Sequence, residues 1–181
     1  MLSKERVKEA EQNVKSYLVQ GLMKKEPFKQ IVYDVLRKNA DESLKLAKTI
    51  HDNLYSDLWA IVISYYSMYY ISNAVLYKLG YKVGEKISHK ITSDALMVYV
   101  RKHLHESLIE DYEDSKEQAL AGIKADELIE SFDFERRKRS RIQYKTEEIE
   151  KHAKAKTSLQ RAIVFATEME KLIEKTGKNA K

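Results

Sequence analysis

Cysteine is absent from this chain, and proline occurs once and glycine five times in 181 residues. The first absence excludes disulfides and thiolate-ligated zinc. The scarcity of proline and glycine leaves little punctuation for a β-rich fold, whose turns depend on them. No charge-free apolar run reaches the roughly 20 residues needed to span a bilayer. The longest, Leu58 to Leu76, is interrupted by serines, an asparagine and tyrosines, and reads as a buried core helix. The start, MLSKERVKEAEQ, lacks the apolar segment of a signal peptide. A cytoplasmic protein with no membrane attachment is therefore expected. The sequence also has no phosphate-cradling glycine loop, no GxSxG, no HExxH and no HxE…CxxC. No cofactor and no metal are expected on these grounds.

What is abundant is lysine, glutamate, leucine, alanine and isoleucine, the residues of long helices. The length fits one domain, with or without an appendage. Val7, Ala10, Val14, Tyr17, Leu18 and Leu22 recur at helical spacing, and Ser3 suits the N-cap of that first helix. Lys24-Lys25-Glu26-Pro27 breaks it, and Pro27 suits the first turn of the next. A stripe from Phe28 through Val32, Leu36, Ala40 and Leu44 to Ile50 extends that second helix to about Asn53, with room for a bend near Asn39. Asp57 is placed to cap the central helix. That helix is apolar nearly all round, so neighbours must surround it. Five of the twelve tyrosines lie between Tyr65 and Tyr77, and Gly80 supplies a left-handed stop. Ser88 opens a helix to about His105, and another covers roughly 108–132. Residues 133–145 form a connection, and Thr146 caps a long last helix ending near Lys175. No strand is expected. The division is an N-terminal helical appendage (1–26), a helical bundle (27–177) and a polar tail (178–181).

Net charge is only +5, but its distribution is uneven. Arg136, Arg137, Lys138, Arg139, Arg141 and Lys145 fall within ten residues that contain no acid. Arginine forks match phosphate oxygens, and Tyr144 adds a ring on which a base can stack, as suits single-stranded RNA. The plain alternative is a solvated run neutralised by acids at Asp111–Asp114 or Asp126–Glu130. The histidines, His51, His89, His103, His105 and His152, are scattered. His89 with Lys90 at a helix start can take an anion through exposed N–H groups, or simply pack.

Several of these stretches together resemble the HEPN superfamily. They are Ala40–Ile50 (ADESLKLAKTI), the helix ending Val75-Leu76-Tyr77-Lys78-Leu79-Gly80, the Ser88-His89-Lys90 clasp, and the arginine-rich segment before a long final helix. The resemblance covers about residues 35–175. It implies an all-α, antiparallel up-and-down bundle of four to five helices, with the N-terminal helix added, and a homodimer whose two copies share one basic cleft. It implies RNA or nucleotide binding there. Two alternatives come with it. One is a metal-independent endoribonuclease of toxin–antitoxin or defence type. The other is the interaction half of a pair with a nucleotidyltransferase-like protein, in which Tyr144 is the modified residue. The family's signature is an arginine, a polar residue and, a few positions on, a histidine. Arg139 and Ser140 match its first half, and Tyr144 stands in the histidine's place, so Arg139, Ser140 and Tyr144 are the candidate catalytic group. Arg136, Arg137, Lys138, Arg141, Lys145, His89 and Lys90 are the candidate nucleic-acid contacts. A tyrosine, with an ordinary pKa near 10, is a poor base at neutral pH. A histidine from elsewhere in the fold, such as His89 or His152, would have to move the proton.

Overall fold

The computed structural model describes the backbone of residues 3–131 and 141–178, and the side chains of residues 3–124 and 150–175. Six α-helices carry the fold: α1 (Lys4–Val19), α2 (Gln30–Asp52), α3 (Asp57–Lys78), α4 (Ser88–Ala95), α5 (Glu106–Ser131) and α6 (Arg141–Lys178). Helix α3 is the hub. It packs on α2, α5 and α6, and its buried residues face in every direction, from Ala60 to Tyr77. The largest fully buried side chains include Tyr65, Tyr77, Tyr112, Phe165 and Met68. Phe165 and Met68 each contribute roughly 1.5–3 kcal/mol by leaving water.

Helix α1 opens as its sequence implies: Ser3 Oγ accepts the Arg6 N–H at 3.1 Å. Ala10, Val14 and Tyr17 join the main core, and α1 lies on α4. A fully buried carboxylate, Asp94 on α4, binds the two together. It accepts from Arg6 Nη2 at 2.6 Å, Asn13 Nδ2 at 3.0 Å and Tyr17 Oη at 2.9 Å. Burial and the Asp94 contact both push the Tyr17 phenol well above its ordinary pKa.

Two short strands, β1 (Met23–Lys25) and β2 (Tyr81–Val83), pair antiparallel with Met23 opposite Val83. This ladder is a departure from the strand-free expectation. Three-residue strands are too short to show a period of two. They form because Gly21 (φ 69°) and Gly80 (φ 88°) turn the chain out of α1 and α3 and lay the following segments side by side. The Gly84 N–H closes the end of the ladder on the Leu22 carbonyl at 2.8 Å.

Other boundaries also differ from the sequence expectation. Pro27 precedes α2, which starts at Gln30, and its carbonyl accepts from Tyr77 Oη at 3.3 Å. Helix α2 runs uninterrupted past Asn39. Ser56 caps α3, accepting the Trp59 N–H at 3.3 Å, and Asp57 sits in the first turn. The helix expected up to His105 stops at Ala95 and gives way to a π-helical turn (Leu96–Val100) and a 3-10 turn (Arg101–His103). A single wider turn shifts the apolar pattern too little for so short a stretch to register it. Thr146 lies inside α6 instead of capping it. Arginine, glutamine and lysine propagate a helix well, so α6 begins before its apolar stripe does.

Among the described residues, no helix is long and apolar enough to cross a membrane.

Candidate functional site

The basic run falls largely beyond description. Arg136, Arg137, Lys138, Arg139 and Ser140 lie outside the described residues. Arg141, Tyr144 and Lys145 belong to the first two turns of α6, with their side chains outside the description.

The acids expected to neutralise that run are described in part. Arg161 on α6 holds Asp111 through Nε at 2.8 Å and Asp114 through Nη2 at 3.2 Å. Glu113 binds Lys116 Nζ at 2.8 Å and also accepts from Ser93 Oγ. All three acids of the 111–114 stretch are therefore already paired with cations of α5 and α6, Asp114 at the surface. Asp126–Glu130 lie outside the described side chains.

His89 occupies the first turn of α4 and turns inward. Its Nδ1 lies 2.8 Å from Tyr65 Oη, and its ring packs among Tyr65, Tyr66 and Tyr69 at centroid distances of 5.5, 5.7 and 4.7 Å. Burial, with a smaller contribution from the nearby Lys116 charge, lowers its pKa. A neutral ring suits that role, since its Nδ1 then accepts the tyrosine proton. The neighbouring Lys90 is exposed.

A second cluster gathers where α2 passes into α3. Helix α2 ends in a Schellman turn: the Tyr55 N–H reaches back to the Ile50 carbonyl at 3.0 Å and the Leu54 N–H to that of His51 at 3.1 Å. Leu54 takes the left-handed position at φ 55°, where glycine is usual. This turn sets His51 in the last turn of α2 beside Asp57 in the first turn of α3. Because Ser56 does the capping, the Asp57 carboxylate is free to reach across to α6. Its Oδ1 lies 3.0 Å from His152 Nδ1, a residue 95 positions later. The His51 and His152 rings stack at 5.0 Å with planes 14° apart. A small apolar cluster of Ala60, Ile61 and Ala155, with Ile50 against it, packs beneath. Each of these lies within a turn of one member of the cluster, so the three helices are fixed to one another there. Trp59, half-exposed, follows Asp57 by two residues in the first turn of α3.

The tyrosines that hold His89 lie 8 to 12 residues along α3 from Asp57, about 12–18 Å by helical rise. The structure thus separates His89 from His152, and sets His152 with His51 and Asp57. Sequence reasoning saw His152 only as a stand-in base and Asp57 only as a cap. No local spacing links the three, since they come from three helices.

Comparison with protein families finds no family model that matches the chain, and comparisons with curated proteins and with solved structures find no match either.

Proposed function

We propose that this all-helical protein binds RNA or nucleotides through the basic run Arg136, Arg137, Lys138, Arg139, Arg141 and Lys145, in the manner of a HEPN homodimer. The observation that carries the reading is the pairing of Asp111, Glu113 and Asp114 with Arg161 and Lys116. Those acids already have cationic partners on α5 and α6, which supports an external anion as the counterpart of the run's charge. The run also leads directly into α6 at Arg141, a helix of 38 residues. The partial positive charge and free N–H groups at a helix start add to the attraction for phosphate. A second copy has a surface to meet. Phe28, Ile31, Val35 and Leu46 are exposed apolar residues at helical spacing along and just before α2.

The test is single-stranded RNA in EDTA, wild type beside Arg139→Ala, with bound and cleaved fractions read from the same samples. Affinity is expected to fall with salt, with a log–log slope of about 0.7 per phosphate neutralised, and to drop in the variant. Salt-independent binding, or none, would overturn the reading. Cleavage that disappears in Arg139→Ala would make the protein an endoribonuclease. For the dimer, light scattering of Val35→Glu against wild type reads the oligomeric state, and a wild-type monomer would remove the shared cleft.

A further inference from the structure

We propose that His51, Asp57 and His152 form a binding site for one divalent transition-metal ion of the zinc class. This goes beyond the anion-binding reading and does not rest on it.

Three observations meet here. One nitrogen from each histidine and a carboxylate oxygen of Asp57 all lie within 4.8 Å of one another. His51 Nδ1 is buried and has no hydrogen-bond partner among the described residues. A buried polar atom left so costs roughly 1–3 kcal/mol, and a bound cation would satisfy it. The carboxylate is already in contact with the second ring, Asp57 Oδ1 to His152 Nδ1.

The donor set decides the class of ion. Two imidazoles and one carboxylate suit zinc, cobalt, nickel or copper, whereas magnesium and calcium want oxygen alone. Three protein ligands leave a position for water. The corner opens to solvent on that side, with the His152 side chain 44% and the Asp57 side chain 28% exposed. The two helix ends at the corner act in opposite senses, with partial positive charge at the α3 start beside Asp57. The α2 C-terminal end, at His51, carries partial negative charge from its carbonyls.

Ion binding requires a small rearrangement. Around tetrahedral zinc, neighbouring ligand atoms sit roughly 3.3 Å apart, so the widest pair must close by at most about 1.5 Å. A shared ion must also lie near the plane of each ring, and the stacked rings are almost parallel. Turning one imidazole about its outer torsion does both, and that torsion is soft. The backbone need not move, because Ile50, Ala60, Ile61 and Ala155 hold the three helices together below the site.

The test uses the tag-free full chain, stripped with EDTA and exchanged into chelator-free buffer. Zinc is titrated calorimetrically and cobalt by visible absorption. One equivalent of zinc per chain is expected, with cobalt ligand-field bands appearing at the same stoichiometry. His152→Ala and Asp57→Asn should each weaken binding by about tenfold or more, with helical circular dichroism unchanged. A His103→Ala/His105→Ala double variant should bind as wild type does. Should His152→Ala fail to fold, Asp57→Asn decides, since it keeps the shape and removes the charge. No saturable binding below about 1 mM, or binding indifferent to Asp57→Asn, would overturn the site. Neither outcome touches RNA affinity, which is measured in EDTA.

Discussion

Removing the Asp94 carboxylate should be among the most damaging single changes in the protein. Asp94→Ala deletes the acceptor for Arg6, Asn13 and Tyr17 at once. The Arg6 bond is charge-assisted and short, and such a bond contributes about 1.5–3 kcal/mol. Arg6 keeps 26% exposure, so water softens its loss and the lower end applies. The Asn13 and Tyr17 bonds also go to a charged acceptor. The Tyr17 hydroxyl is buried, so it bears the desolvation penalty of an unmet donor. The sum is about 3–5 kcal/mol, in the range for breaking one side of a buried ion pair. For a chain of this size that is roughly 6–20 °C in Tm. The assay is urea unfolding followed by circular dichroism, with limited proteolysis of α1 in parallel. A cycle with Arg6→Ala should give a coupling of about 1–3 kcal/mol. A loss below about 1 kcal/mol in Asp94→Ala, or strict additivity in the cycle, would refute the claim that this carboxylate ties α1 to α4.

Leu54→Gly should stabilise the protein by about 1 kcal/mol, read by the same urea assay, because it relieves a left-handed backbone at a side chain that is 73% exposed. Gly84→Ala should cost about 1–3 kcal/mol, since its Cβ would lie 2.7 Å from the Leu22 carbonyl oxygen; an unchanged midpoint would mean that the ladder yields. His89 has a folded pKa below its unfolded value, so its contribution to stability is full above about pH 6.5 and is lost as pH falls from there towards the folded pKa. His89→Gln should flatten the fall in stability between pH 7.5 and 5.5, and an equal slope in both proteins would show that His89 titrates normally.

Some of this fold could be read from local pattern alone, and the reason differs by element. The Ser3 cap and the Gly80 stop follow from the chemistry of single residues, whereas α4 starts at Ser88 behind a left-handed Ile87 with no side-chain cap. The all-round burial of α3 follows from its largely apolar sequence, charge-free between its ends. What local pattern did not show depends on residues distant in sequence. The β1–β2 ladder needs the ends of α1 and α3 to meet. Asp57, left free by the Ser56 cap, takes its partner His152 from far along the chain. Of the candidate site, the positive run was plain as composition, and residues 136–140 lie outside the described structure. The histidine corner was invisible because helical spacing relates residues three or four apart, and its members sit on α2, α3 and α6.

The one tryptophan of the chain stands two residues past Asp57, in the first turn of α3. It is 49% exposed in the folded protein, so its emission is already that of a largely hydrated indole. Global unfolding will therefore shift it little, and a melt followed by fluorescence would understate the transition that circular dichroism sees. The same position makes it a reporter of a different kind. Copper or cobalt bound at Asp57 is expected to quench nearby indole light, whereas zinc is not. The molecule thus carries its own optical gauge for the α2–α3 corner, readable without a label.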